Sequence, residues 1–341
     1  MGEPNNADPN PNRGDRPSET TRPQIVVVAG PTAVGKTGLG IALAKEFGGE
    51  IVNADSRYLY RDFDIGVAKP SLQERQGVPH HLIDILEPDA DMSLARYQDL
   101  AYAAIDEIAR RGSVPILVGG TPLYVNAVVE AWRIPRVPPD PDLRARLEEE
   151  ARCRGIGALG ERLRQVDPVA ADRSGANLRR IIRALEIWET AGVAMSALEG
   201  KGPPRYDALE IGLTMPRDRL YRAVADRVAD QIRRGLVEEV RALLAAGVPE
   251  DAPAMSSLGY RQLLPFIRGE TDLASAVRQI ERDTHRYVRH QETWLRRNSR
   301  LVWIDVTEPD WGRQAARLVA RFLAHDPSPS STEGEQASRQ G

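Results

Sequence analysis

Apolar positions along this 341-residue chain follow two alternating rhythms. Ile25 to Ala29 is an unbroken, mostly β-branched run that stops at Gly30, which predicts a strand buried on both faces. From Thr37 to Phe47 the apolar residues Leu39, Leu43 and Phe47 recur at helical spacing. The alternation continues with Ile51 to Asn53 as a second strand and Leu94 to Arg111 as a long amphipathic helix. Val114 to Val118 then reads as a third strand, closed by Gly119 and Gly120. Strands and helices taking turns in this way predict an α/β fold built on a parallel sheet.

The rhythm changes after the proline-rich stretch Ile134 to Pro141. Leu143 to Glu199 offers only helical periodicity with Arg and Glu pairing. Leu209 to Thr214 returns as a strand, Leu220 to Ala246, Asp272 to Arg296 and Trp311 to Ala324 read as helices, and Leu301 to Asp305 as a last strand. The expected organisation is therefore a core split between 23–133 and 206–325, with an inserted helical domain at 134–205. Residues 1–22 and 326–341 are polar, proline-containing tails without apolar periodicity, and are expected to be disordered.

Composition narrows the class. With 41% hydrophobic and 28% charged residues the chain can bury a sizeable core. No run approaches the roughly 20 apolar residues of a membrane span, and the first residues do not resemble a signal peptide, so the cytoplasm is the expected location. Cys153 is the single cysteine, and no Cys/His group has zinc-ligand spacing. A net charge of −3 argues against nonspecific coating of nucleic acid, but the charge is uneven. Ten arginines face six acids between Arg144 and Arg183, and six face three between Glu281 and Arg300. These segments can be solvated helix faces or a surface for a polyanion. Lysine survives only at Lys36, Lys45, Lys69 and Lys201, and a slim point charge and a planar guanidinium are not interchangeable inside a tight phosphate cradle.

Candidate chemistry begins at Gly30-Pro31-Thr32-Ala33-Val34-Gly35-Lys36-Thr37, a phosphate-binding loop pattern lying between a predicted strand and a predicted helix. Backbone N–H groups of such a loop and the helix N-terminus favour an anion, Lys36 reaches a terminal phosphate, and Thr37 would ligand Mg²⁺. The loop alone does not separate kinases, NTPases and other transferases. Asp55 and Ser56 end the second strand, and Thr121 ends the third after two glycines. Ligands bind at the carboxyl ends of parallel strands, so Asp55 should face the loop and the Thr121 hydroxyl should reach an oxygen of a departing diphosphate.

Together with Asp55-Ser-Arg-Tyr-Leu-Tyr60, Asp64-Ile-Gly-Val-Ala-Lys69-Pro70, Pro79-His-His-Leu-Ile-Asp84 and Val118-Gly-Gly-Thr-Pro-Leu-Tyr124, the loop resembles the tRNA dimethylallyltransferases. Arg183-Ala-Leu-Glu186, Gly259-Tyr260-Arg261 and Gln291-Glu-Thr-Trp-Leu-Arg296 extend the likeness over roughly Ile25 to Arg300. The resemblance implies a P-loop NTPase-like core and transfer of a dimethylallyl group from its diphosphate to N6 of adenosine 37 beside the anticodon. It implies Asp55 as the base, with Lys36, Thr121, Arg227, Thr32 and a Mg²⁺ on Thr37 holding the diphosphate. It also implies tRNA contacts, in the anticodon stem-loop, from Asp55, Ser56, Arg57, Tyr58, Thr121, Arg144, Arg179, Arg180, Arg183, Gly259, Tyr260, Arg261, Thr284, Arg289 and Gln291. The bacterial form of the family, acting as a monomer, is expected. The chain departs from common family residues at Tyr58, Ala223, Ser256, His285 and His290. Three other readings share the loop: a small-molecule kinase, an adenylate prenyltransferase acting on free nucleotides, and a noncatalytic RNA-binding protein switched by a nucleotide.

Overall fold

The computed structural model describes residues 22–324; the expected tails lie, apart from Arg22, outside the described residues. The first half of the core comprises β1 (Gln24–Ala29), α1 (Lys36–Phe47), β2 (Gly49–Asn53), β3 (His80–His81), α2 (Leu94–Arg110), β4 (Val114–Gly119), α3 (Pro122–Val129) and β5 (Trp132–Arg133). Helices α4 (Pro141–Arg154), α5 (Ile156–Val166), α6 (Pro168–Ser174), α7 (Leu178–Ala191) and α8 (Met195–Leu198) follow. The chain then returns through β6 (Gly200–Lys201), β7 (Asp207–Thr214), α9 (Arg217–Arg233), α10 (Leu236–Ala245), α11 (Tyr260–Ile267), α12 (Leu273–Leu295), β8 (Val302–Asp305) and α13 (Trp311–Leu323).

Six strands pair in parallel in the order β3-β2-β4-β1-β7-β8. β1 is central, with Val27 opposite Leu117 on one side and Glu210 on the other. Ile25, Val26, Val27 and Val28 have no exposed surface, as their β-branched run required. Helices cover both faces, and the carboxyl ends of β1, β2 and β4 bring the loop 30–37, Asp55 and Thr121 to one edge of the sheet.

Helices α4 to α7 bury Leu143, Leu147, Leu159, Leu163, Ile181 and Leu185 in a cluster of their own, separate from the sheet's core. α4 and α6 each begin with an aspartate cap followed by proline, Asp140 accepting from Leu143 N and Asp167 from Ala170 N. At the base of this unit β5 and β6 pair antiparallel. The expected single helix from Leu220 to Ala246 is instead two, because the chain turns at Gly235 with φ 97°, a left-handed conformation suited to glycine. The short α3, α11 and β3 were not anticipated: α11 contains Pro265, and α3 is an apolar octapeptide too short to display a period.

The crossover between β2 and β3 is pinned by Lys69, whose side chain is 2% exposed. Its ammonium donates to Tyr60 O at 2.8 Å, Asp64 Oδ1 at 2.7 Å and Asp84 Oδ1 at 2.5 Å, using all three of its protons. Ala68 and Asp84 both sit at positive φ beside this clamp, so the cation holds backbone that would otherwise relax. Both aspartates are half exposed and rehydrate when the cation is removed. Lys69→Met is therefore expected to cost about 2 kcal/mol of unfolding free energy, less than the roughly 3–5 kcal/mol of a fully buried pair, as read by urea denaturation.

Candidate active site

The loop between β1 and α1 is folded by its own sequence. Ala33 adopts φ 64° and Gly35 φ 96°, turning successive amides inward, and Lys36 Nζ donates back to Pro31 O at 2.7 Å. Burial pushes the Lys36 ammonium down to about 8; the Asp55 carboxylate opposes that fall, and the Arg227 guanidinium adds to it. From α9, Arg227 donates through Nη1 to Thr32 Oγ1 at 3.0 Å and through Nη2 to Val67 O at 2.7 Å. Thr32, Ala33, Gly35, Lys36, Thr37 and Arg227 belong to the lining of a cavity of about 320 Å³.

Asp55 is positioned by the residue at the end of β2. Asn53 accepts from Asp55 N at 2.8 Å and donates to Asp55 O at 2.9 Å and Leu82 O at 2.8 Å, so its amide ties the strand end to the crossover. The Asp55 Oδ1 accepts from Arg57 N at 2.9 Å, leaving the other carboxylate oxygen to take a proton. Asp55 also lines a second cavity of about 400 Å³, walled by Ser56, Arg57, Ser256, Arg261, Thr284 and Tyr287 among others. Thr32, Asp55 and Arg227 are common to both linings, so the carboxylate stands where an anion cradle meets a larger polar chamber.

Several expected residues lie elsewhere. Thr121 is half-buried beside the segment carrying Asp55 and braces it: its hydroxyl accepts from Ser56 N at 3.0 Å and donates to Ser56 Oγ at 3.3 Å, and its N–H donates to Ala54 O at 3.2 Å. The preceding glycine is required for this brace, since a Cβ at Gly119 would lie 2.1 Å from the Ala54 carbonyl. Tyr58 faces the anion cavity, not the larger one, and donates to Ala68 O at 2.8 Å; burial pushes its phenol up to about 12, with Asp55 adding to the rise. Tyr260 has no exposed surface at all, and its hydroxyl donates to Glu239 and accepts from Gly66 N at 3.1 Å, so it braces the crossover and offers an RNA nothing. Gly259 opens α11 at φ 94°, and Gln291 is buried.

The arginines divide in the same way. Arg144 and Arg183 both hold the fully buried Glu186, while Arg179 and Arg180 are exposed at the start of α7. Arg261 lines the larger cavity, 3.6 Å from Asp283, and Arg289 is exposed with Nη1 3.0 Å from Tyr221 Oη. Thr284 faces the cavity while its hydroxyl donates to Ile280 O at 2.7 Å. Sequence reasoning missed Tyr287 and the Ser257 to Leu258 segment as cavity walls. Ile280, Thr284 and Tyr287 follow a helical stripe that was legible only once one face of α12 was known to meet the site. Of the departures, His290 lines the larger cavity, whereas His285 stacks on Tyr221 at 3.9 Å.

The family model described as IPP transferase matches residues 58–298. A tRNA dimethylallyltransferase of Thermomicrobium roseum is 55% identical over 94% of this chain and 96% of its own length, and one of Roseiflexus castenholzii is 48% identical over 86% and 97%. Among solved structures, the full-length tRNA isopentenylpyrophosphate transferase of Bacillus halodurans superposes with a TM-score of 0.66 at 38% identity, covering 89% of this chain and 96% of that one. A eukaryotic dimethylallyltransferase acting on tRNA gives 0.79 at 25% identity, covering 91% and 81%. Motif order, paired cavities and identity across most of the length agree, and the chain belongs to the IPP transferase family.

Proposed function

We propose that this chain transfers a dimethylallyl group from dimethylallyl diphosphate to N6 of a tRNA adenine, adenosine 37 next to the anticodon, and releases diphosphate. The observation that carries the reading is the place of Asp55, on the wall shared by an anion-binding loop cavity and a chamber large enough for a base. Family relatives bearing the name tRNA dimethylallyltransferase support tRNA as acceptor over a free nucleotide or a kinase substrate. We read the acting unit as a monomer, since residues of this chain supply both the anion loop and the acceptor chamber. Among the described residues no helix is long and apolar enough to cross a membrane, in keeping with a cytoplasmic site of action.

In this mechanism the adenine is drawn out of the anticodon loop into the larger cavity, which costs a few kcal/mol of stacking. N6 is a weak nucleophile because its lone pair is delocalised into the ring. It attacks the allylic carbon as the bond from that carbon to the diphosphate oxygen breaks, and Asp55 accepts the N6 proton. Negative charge gathers on the leaving diphosphate, in the cavity that Lys36, Arg227 and the phosphate loop line. The exposed arginines Arg179, Arg180 and Arg289 would bear on the RNA backbone, which positions without specifying sequence.

Thr37 supplies an oxygen donor in the phosphate cavity that suits Mg²⁺, and no cluster of three His, Cys, Asp or Glu residues occurs among the described residues. That sparse set fits an ion that takes few protein ligands and the rest from substrate phosphate and water. When bound there on Thr37, it would supply further neutralisation of the diphosphate.

Incubation of unmodified tRNA with the protein, dimethylallyl diphosphate and Mg²⁺, followed by mass analysis of nucleosides, should yield dimethylallyl-adenosine. Asp55→Asn should lower kcat by about 10²–10⁴ while leaving donor affinity nearly intact. Consumption of ATP, or prenylation of AMP with untouched tRNA, sinks the assignment. A second expectation concerns pH. Since burial holds the free Lys36 near 8, below its ordinary 10.5, the loop carries its charge at pH 7 and loses it above 8. Binding a diphosphate restores the proton, so affinity is nearly flat from about pH 7 to 8, above the second ionisation of the phosphate at about 6, and falls by about tenfold at pH 9. Calorimetric titration with dimethylallyl diphosphate in buffers of different ionisation heat reads both the fall and the proton uptake; Lys36→Met should flatten the profile.

A further inference from the structure

Gln291 stands on α12, 3% exposed, outside both cavity linings. Its Oε1 accepts from Thr32 N at 2.9 Å and its Nε2 donates to Gly120 O at 2.6 Å. Thr32 belongs to the phosphate loop and Gly120 to the end of β4, so one side chain spans the two segments from a third element. A backbone N–H demands an acceptor and a backbone carbonyl demands a donor, so only a carboxamide, in one orientation, satisfies both. A glutamate keeps the first bond and sets an oxygen against the Gly120 carbonyl; a methionine fills the space and makes neither.

We propose that Gln291 is a positioning residue for the diphosphate loop and not an RNA contact. It occupies the Thr32 N–H and fixes where the loop begins its inward turn, so the later amides, not this one, face the anion. Thr32 is thus held twice, by Gln291 at its N–H and by Arg227 at its hydroxyl. The same helix walls the acceptor chamber through Ile280, Thr284 and Tyr287, and Gln291 continues that stripe by one turn. One face of α12 therefore serves both substrates, the acceptor by contact and the donor by gripping its loop. The inference rests on reading Gly30 to Thr37 as the diphosphate cradle.

The test is calorimetric titration of inorganic diphosphate with Mg²⁺ into the full chain, for the wild type, the uncharged Gln291→Met and Gly120→Ala. The second variant disturbs the same clamp from the other side, because a Cβ at Gly120 would lie 2.7 Å from Gln291 Nε2; it also comes within 3.4 Å of Lys36 Nζ, so it supports the Gln291 variant and does not replace it. Each variant should bind diphosphate about tenfold more weakly, the size of one lost buried hydrogen bond, and the KM for dimethylallyl diphosphate should rise alike. The KM for tRNA should stay within about twofold, since neither change touches an RNA-facing atom. A raised tRNA KM with unchanged diphosphate affinity overturns the proposal and restores Gln291 as an RNA contact. Diphosphate affinity within about twofold of wild type in both variants overturns it as well. Should Gln291→Met fail to fold, Gln291→Asn, whose shorter neutral amide cannot reach both Thr32 N and Gly120 O, takes its place. Because diphosphate binding is read without any prenyl transfer, a wild type that binds diphosphate but leaves tRNA unmodified refutes the function while this result still stands.

Discussion

A desolvated cation beside an anion-shaped loop is the constraint on which the rest of this molecule turns. The Lys36 side chain is half-buried and its ammonium partly desolvated, which is costly unless neighbours compensate. The compensation comes from the Pro31 carbonyl at 2.7 Å and from the Asp55 carboxylate across the cavity. Each of those groups has its own support: Ala33 in a left-handed conformation turns the loop back on itself, and Asn53 fixes the backbone of Asp55. The strain and the polar braces are located around one cavity because that is where a charge must be kept ready and dry.

The same economy of placement explains why two cavities share three residues. A transfer reaction needs its donor and acceptor on either side of one reacting atom, and a wall common to both chambers is the simplest way to secure it. Thr32, Asp55 and Arg227 arrive from three different elements: the loop after β1, the end of β2 and the middle of α9. None is near the others in sequence, and the parallel sheet brings them together by aligning strand ends at one edge.

That edge was legible in the sequence because its signals are local. The run Ile25 to Ala29, the glycine loop and the following helix each announce themselves within a dozen residues, and β1, α1, β4 and β7 sit where the periodicity placed them. Asp55 was legible through strand-end logic. The partners of Thr121 and Tyr260 were not legible for a common reason: family position says that a residue matters near a ligand, while only the fold shows which neighbours it supports. Thr121 holds Ser56, and Tyr260 holds Gly66, where a Cβ would come within 2.3 Å of the tyrosine ring. Such partnerships depend on contacts across 65 and 194 positions, beyond the reach of any periodic signal. The break at Gly235 was visible as a glycine, but its left-handed geometry belongs to the turn that α10 makes against the crossover.

The split core sets the order in which the chain can be completed during synthesis. β1 lies at residues 24–29 and its neighbour β7 at 207–214, so one edge of the central strand stays open until nearly two thirds of the polypeptide has emerged. Between them the helical unit buries its own leucines in a local cluster and needs nothing from the sheet. Its two ends meet where Gly202 N donates to Ala131 O at 2.7 Å, so the insertion costs the sheet little reach when β7 finally docks. The nascent protein therefore acquires a finished helical module first and closes its central sheet late, with the edge of β1 the surface most in need of shelter while the ribosome catches up.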